Sequence, residues 1–520
     1  MRRRAKAALR ISGPAVILIL TILQTAFAQI GSSDSQSEGK RANQLPLSGR
    51  SLQGGSVTAT QSPVPGTTTS VNTINPAIQV QGPYAGSVGS IGRIPFSGRL
   101  SLREAVQRGL EYNLGTVGLT QAVRQARGQS KSARSALLPN LNGRLSETVQ
   151  QINLKALGVP IGSSIPGLSV PTIVGPFNYF DLRATLSQTL VDLTAWHNYR
   201  SADETLRANE LSVQDARDLV VLAVGGAYLQ LIAAKARLES ARAQLETANT
   251  LYQQTSQRRS VGLVAQIDVN RSQVQAQTQQ QRLVSLKNDL AKQKINLARL
   301  TGLPPNDQYD TSDNVPFAAA APLGLEDALN RAFEQRSDLK AAEAQVRAAE
   351  RVRSAAHAQR LPSLSLNADY GVIGTNPAQS HGTFSVVATL RFPIWQGGRI
   401  EGDIEQAEAA LAQRQAELED LRGRVESEVR GAFLDLEAAA SQVEVATMNQ
   451  QVTGETLDLT RQRFEAGVTD SVEVVQSQES VATAELDYIN SVFAHNVAKL
   501  SLARAMGGVA ESLPQFLKLP

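Results

Sequence analysis

The chain has 520 residues, no cysteine, 4 % aromatic residues and a formal net charge of +4. Without cysteine there is no disulfide, thiolate metal site, cysteine nucleophile or lipid-modified cysteine. Residues 1–28 hold Arg2, Arg3, Arg4, Lys6 and Arg10 and no acid, so of 51 Lys and Arg, 46 remain against 47 Asp and Glu, and the rest of the chain is near neutral.

The basic start, the apolar run Ala15–Leu23 and Ala26-Phe27-Ala28 have the three zones of a secretory signal peptide, with cleavage expected before Gln29. That run is too short to span a bilayer, which takes about 20 helical residues, and no later segment offers an uninterrupted apolar run of about 18. Residues 29–95 are rich in Ser, Thr, Gly, Pro and Gln and lack helical or strand periodicity, so a disordered leader is expected.

From residue 96 onward one plan is written twice. Leu102, Leu138-Pro139 and Leu141 return as Leu325, Leu361-Pro362 and Leu364, shifted by 223, while Gly262, Asp268 and Gly302 return as Gly467, Glu473 and Gly507, shifted by 205. A period near 200 is too long for a solenoid unit of about 20–50 residues. It is a duplicated half, and each half reads helix, strand, loop, strand, long helix, turn, helix. The first repeat is assigned to 96–302 and the second to 324–507.

In each repeat the opening helix (about 101–138 and 324–361) leads into two strands. In the second copy Leu364, Leu366, Ala368, Tyr370 and Val372 alternate with Ser365, Asn367 and Asp369, and Phe384, Val386, Ala388 and Leu390 alternate with Ser385 and Thr389. In the first copy Leu141, Leu145 and Val149, then Leu182, Ala184, Leu186 and Leu190, follow the same period of two. One apolar and one polar face over about ten residues suits a tilted membrane strand. Phe177, Tyr179 and Phe180 at one end, with Trp196 and Trp395 at the other, stand where interfacial aromatics belong. A half-buried soluble sheet alternates in the same way. Four strands, however, close no barrel, so they demand partners. The connecting loops differ: about 153–178 is long and proline-rich, about 373–383 is short, and this accounts for the 18-residue mismatch between the shifts.

Each strand pair is followed by a long helix without proline, His197 to about Arg258 and Arg399 to about Phe464. At 1.5 Å per residue each reaches roughly 90 Å. Such a helix persists only by burying a stripe along its length. Leu231, Ala234, Leu238, Ala241, Leu245, Ala248 and Tyr252 form that stripe, matched by Leu436, Ala439, Val443, Ala446 and Leu457. Shorter return helices, about 266–300 and 471–506, follow after Gly262 and Gly467.

The junction stretches Leu186-Ser-Gln-Thr-Leu-Val-Asp-Leu-Thr-Ala-Trp196 and Phe392-Pro-Ile-Trp-Gln-Gly-Gly-Arg399 carry a resemblance. So do the tip stretches Ser260-Val-Gly-Leu-Val-Ala-Gln-Ile-Asp-Val269 and Arg463-Phe-Glu-Ala-Gly467, and Leu300-Thr-Gly-Leu-Pro304. Together they resemble the TolC-like outer-membrane efflux channels over about 96–510. The resemblance implies an α+β membrane protein: a homotrimer whose four strands per chain close a twelve-stranded barrel in the outer membrane of a Gram-negative-type bacterium, with helices continuing it through the periplasm. It implies an equatorial linker at 303–323 with the tail 508–520, and a barrel–helix junction at Trp196, Pro393, Trp395, Gly397 and Gly398. It further implies a passive exit duct of a tripartite efflux pump or type I secretion system. Its partners would be outer-membrane lipid, a periplasmic adaptor and an inner-membrane pump of RND, ABC or MFS type, with no nucleic acid.

On this reading the tip turns Gly262 and Gly467 carry the gate, and Asp268 and Glu473 line a constriction repeated three times around the axis, where carboxylates attract cations. Phe464, Thr469 and Gln476 depart from the family's tyrosine, arginine and second aspartate. Asp268 and Glu473 are also well placed as first-turn helix acids, and Asp470 with Glu473 resembles a capping box. His197, His357, His381 and His495 stand apart without metal-ligand spacing, and no phosphate loop or nucleophile elbow occurs, so no enzyme activity and no cofactor are expected. The competing class is a non-conducting trimeric coiled-coil scaffold, which would need no alternation in the strands.

Overall fold

A computed structural model describes residues 55–64, 70, 73–88, 98–154, 156, 171–305, 308–313, 315–319 and 323–509. The expected signal peptide and nearly all of the 508–520 tail lie outside them. Part of the 29–95 leader lies inside, and there the expectation of disorder is corrected. Strands β1 (Val57–Val64) and β2 (Thr73–Val80) pair as an antiparallel hairpin. The hairpin docks on the core: Val57 and Tyr84 are buried, and Gln61 Nε2 donates to the Ala494 carbonyl at 3.4 Å. Close approach requires Gly226, where a Cβ would sit 1.8 Å from Ile78 Cδ1. At eight residues, each with a proline inside it, the strands are too short for an alternation that announces itself; contact with the core holds them.

The opening helix of each repeat is broken in two, another departure from the sequence reading. The first repeat has α1 (Leu102–Tyr112) and α2 (Leu114–Ser135), the second α5 (Leu325–Gln335) and α6 (Ser337–Ala358). The break residues, Asn113 and Arg336, are both extended, with ψ of 133° and 123°. They stand 223 positions apart, so the break was duplicated with the rest. Asn113 Oδ1 accepts from Gly115 N at 2.9 Å, and Asn113 Nδ2 donates to the Tyr84 carbonyl at 2.8 Å. Arg336 is 2 % exposed and donates to Asp338 and Glu428, each at 2.6 Å. The ends of the return helices press on these breaks. A Cβ on Gly302 would lie 2.8 Å from Tyr112, and one on Gly507 3.0 Å from Arg336 N; both glycines have positive φ.

The long helices are α3 (Leu193–Ser260) and α7 (Arg399–Glu465), of 68 and 67 residues, about 100 Å each. The return helices are α4 (Gln266–Thr301) and α8 (Ser471–Met506). Val220, Val224, Ala234, Leu238 and Ala241 of α3 are buried, and so are their counterparts Val425, Val429, Ala439, Val443 and Ala446 of α7. Of the two long helices only α3 has a stretch enclosed all round, Val221 to Leu229. A stretch of it has mean hydropathy 1.8, apolar enough for a membrane span, but 72 % of that stretch is buried. Val221, Leu222 and Tyr228 there belong to the largest core cluster, where α7 has Glu426, Ser427 and Phe433. This cluster also takes in Leu303, Tyr309 and Val315 of the 303–323 segment. There β6 (Asp310–Thr311) pairs in parallel with β3 (Arg99–Leu100). Asp313 ties the segment down, accepting from Leu102 N at 2.6 Å and the Tyr228 hydroxyl at 3.1 Å.

Strands β4 (Asn140–Asn153), β5 (Ile173–Val191), β7 (Ser363–Gly374) and β8 (Ser380–Arg391) form an antiparallel sheet in that order. Rows across it keep the two faces distinct. Leu141, Leu186, Ala368 and Val386 stand side by side on one face, and Asn142, Thr185, Asp369 and Ser385 on the other. Among the described residues, no further strand pairs with the outer edges of β4 and β8.

Candidate functional site

At the end of the molecule far from the sheet, two helical hairpins turn through Gly262 (φ +80°) and Gly467 (φ +74°). Positive φ is nearly free for glycine and strained for other residues, which fixes glycine in both turns. Val261, Leu263 and Val468 project from the turns, each more than two-thirds exposed. Asp470 caps α8, its Oδ1 accepting from Val472 N at 3.1 Å and Glu473 N at 3.3 Å. This is half of a capping box, because the Glu473 carboxylate is engaged elsewhere: it accepts from the Thr469 hydroxyl and pairs with Arg463 at 3.1 Å. Asp268 reaches the other hairpin, accepting from the Ser471 hydroxyl at 2.9 Å, with Arg271 at 3.7 Å. One tip carboxylate thus ties the two hairpins together, and the other braces its own.

One tie between hairpins is absent from the sequence reading. Arg258 Nη1 donates to the Phe464 carbonyl at 3.0 Å, and its guanidinium carbon lies 4.5 Å from the centre of the Phe464 ring. Phe464 is 5 % exposed. With Arg258 half-buried the cation–π contact is worth about 1 kcal/mol, so a phenylalanine that cannot hydrogen-bond still fastens the tip. The duplication held a signal for it: Arg258 and Arg463 both stand four residues before a tip glycine. Further ties climb from the tip. Thr255 and Ser272 share a hydrogen bond at 2.7 Å, and the equivalent Ser477 donates to Thr460 at 3.2 Å. Glu479 accepts from Gln279 at 2.9 Å and from Gln275. Arg237 donates to Asn490 Oδ1 at 2.7 Å.

At the opposite end, the strands pass into helices. Asp192 caps α3, accepting from Ala195 N at 2.9 Å. Gly397 and Gly398 have φ of +61° and +81°, a double left-handed turn that swings the chain from β8 into α7. Trp395 is 86 % exposed there. Trp196 is half-exposed, with Tyr199 at 6.1 Å and Arg200 at 5.9 Å. Pro393 lines a cleft with Asp192, Gln359 and Arg399. The side chains in the sheet agree with its backbone register: Arg183 donates to Asp181 at 3.3 Å, to Thr383 at 3.2 Å and to Asp369.

The sequence matches the outer membrane efflux protein family over residues 119–303 and 328–508. OprJ of Pseudomonas aeruginosa is 26 % identical over 418 residues, spanning 78 % of this chain and 84 % of that protein. OpmQ of the same organism, a pyoverdine export outer membrane protein, is 25 % identical over 439 residues, 81 % and 88 % of the two chains. TolC of Salmonella enteritidis is 25 % identical over 341 residues, 63 % and 68 %. Among solved structures, the CmeC outer membrane channel of Campylobacter jejuni superposes with a TM-score of 0.68 at 17 % identity, over 80 % of this chain and 89 % of that one. VceC of Vibrio cholerae does so at 0.67 and 20 %, over 78 % and 96 %. Matched in both halves by the family's sequence pattern and sharing the fold of outer membrane channels, the chain belongs to the outer membrane efflux protein family: it is an outer-membrane transport protein with a large helical periplasmic part.

Proposed function

We propose that three copies of this chain form a passive exit duct, a twelve-stranded barrel continued by the long helices, that carries cargo delivered by an inner-membrane pump of RND, ABC or MFS type through a periplasmic adaptor. The observation that carries this reading is the open sheet. Its edge strands β4 and β8 run antiparallel to each other, so repetition about a threefold axis joins β8 of one copy to β4 of the next in the pairing used throughout the sheet. The apolar face then meets lipid and the polar face lines the lumen. The halves 96–302 and 324–507 contribute alike, with 303–323 as the equatorial linker.

The tip is the gate. Asp268 and Glu473 narrow it, and its opening breaks the ties made by Ser471, Arg463 and Arg258. The projecting Val261, Leu263 and Val468 suit it to dock an apolar partner surface. Planar-bilayer recording tests the reading. The natural protein should show a small, cation-favouring conductance, and Asp268→Ala with Glu473→Ala should raise the conductance and weaken the cation preference. Channels indifferent to both substitutions would remove the carboxylates from the gate, and folded trimers that never conduct would overturn the duct.

A further inference from the structure

The duplicated halves give one helix seam inside the chain and, at the matching positions, two helix faces without a partner. Helix α6 lies on α3: Ser337 of α6 donates to Gln214 at 3.4 Å, and Arg347 donates to Glu204 at 3.0 Å. The two bonds are ten residues apart in each helix, so α6 and α3 run antiparallel in a constant register. On that side of α6 stand Ala341, Ala344, Ala348 and Ala355, all at most 4 % exposed. Ser201 and Ala208, on either side of Glu204 along α3, are 3 % and 2 % exposed. Small side chains at spacings of three, four and seven let two helices approach closely along a seam.

Helix α2 is the counterpart of α6, 223 residues earlier, and α7 is the counterpart of α3, 205 residues later. Gly118, Gln121, Gln125 and Ser132 of α2 stand where α6 has its four alanines, and all four are exposed. A Cβ on Gly118 would meet nothing within 4 Å. Gln406 and Gln413 of α7 stand where α3 has Ser201 and Ala208, and Ala409 stands where it has Glu204; these too are exposed. Each helix thus leaves open the face that its counterpart buries. The two faces lie on opposite flanks of the chain, because α2 leads into β4 and α7 follows β8, the edge strands of the sheet.

We infer that α2 of one copy docks on α7 of the next in the register of the α3–α6 seam, with Gln121 and Gln125 against Gln406, Ala409 and Gln413. This rests on the trimeric-barrel reading, in which β4 and β8 are neighbours across the boundary between copies. In that register Arg124, at the place of Arg347, comes opposite Ala409, at the place of Glu204. The chemistry of the two seams differs for a physical reason. The alanines of α6 are buried as the chain folds, whereas α2 and α7 face water until copies meet. Glutamine amides carry both donors and an acceptor, so they are hydrated before assembly and bond to one another after it. The seam between copies is therefore polar where the seam within the chain is apolar.

The test is oxidative crosslinking in membranes. Gln125→Cys is combined with Gln406→Cys or with Ala409→Cys, and as a control with Met448→Cys, far down the same helix. At least one of the first two pairs should give covalent trimers on a denaturing gel, and the control none. In the chain without cysteines, Ala409→Arg sets a second cation against Arg124 and should lower trimer recovery about fivefold per seam, and adding Arg124→Glu should restore it. Trimers verified by mass in which neither pair crosslinks overturn the seam and leave the duct intact, as does trimer recovery indifferent to Ala409→Arg. A natural protein that is monomeric by mass overturns the duct and the seam with it.

Discussion

At the residue scale, a buried histidine and a partly buried aspartate in the periplasmic core pull stability in opposite directions with pH. His495 is fully buried against Phe317, its ring centroid 4.8 Å away. Burial, with Lys499 beside it, pushes its imidazole down to about 4. A depressed histidine contributes stability that is present above its unfolded value of about 6.5 and is lost as pH falls toward 4, on the order of 2–3 kcal/mol. Asp215 does the reverse. Burial pushes its carboxyl up to about 6 against the pull of Arg504, so stability falls as pH rises from about 4 through 6. In the natural protein the two slopes largely offset. His495→Leu should therefore be more stable at pH 5 than at pH 7, and Asp215→Asn should lose stability steeply below pH 6.5, as read by thermal scans of detergent-solubilised protein. Parallel curves for both variants would refute the assignment. Neither group was legible in the sequence. On a helix of period 3.6 a lone His or Asp reads as surface, and only the packing of another segment over that face buries it. Asp470, in contrast, was legible because capping is local, needing only the residues that follow it.

At the element scale, legibility followed how far each signal reaches along the chain. The four sheet strands and the long helices declared themselves by periodicity repeated over many residues and in two copies. Strands β1 and β2 did not, because their reason for order is Gly226 and Ala494, far away in sequence. The breaks at Asn113 and Arg336 were hidden for the same reason: neither residue is a helix breaker, and each is buried and held extended by hydrogen bonds to residues of other segments, Tyr84 and Glu428. The faces of β8 lead to an expected outcome. Val386 lies at mid-strand in the apolar row, and Ser385 beside it points to the polar face. If the apolar face meets lipid, Val386→Arg should cost about 2–4 kcal/mol and reduce the protein recovered in the outer membrane, whereas Ser385→Arg should cost about zero. Leu390, near the strand end, should fall between them. Equal recovery of the Val386 and Ser385 variants would mean that neither face meets lipid, and would return the sheet to a periplasmic scaffold.

At the scale of the whole molecule, a single chain is unfinished in three places at once. Among the described residues, strands β4 and β8 keep open edges. Helix α7 carries an unburied apolar stripe, Val445, Met448, Val452 and Leu459, each at least half-exposed. Helix α4, in the opposite half, carries another in Ile267, Val274, Val284 and Ile295. Spacings of three, four and seven residues in α7, and of seven, ten and eleven in α4, all sums of threes and fours, mark both as seams for a further helix. One operation can satisfy all three, if the β8–α7 side of one copy meets the β4–α4 side of the next. Because the chain has no cysteine, the contact can be probed without background. Asn142→Cys is combined in turn with a cysteine replacing Thr383, Ser385, Val387 or Thr389, all on the polar face of the opposite edge. Neighbouring strands bring Cα atoms to about 4.5–5.5 Å, inside the range a disulfide bridges. One or two adjacent partners should crosslink on oxidation, giving covalent trimers on a denaturing gel, with the single substitution Asn142→Cys giving none. The partner that reacts best sets the register between copies. If all four pairs stay monomeric in membranes that contain the folded protein, the edges do not meet, and the closed barrel falls.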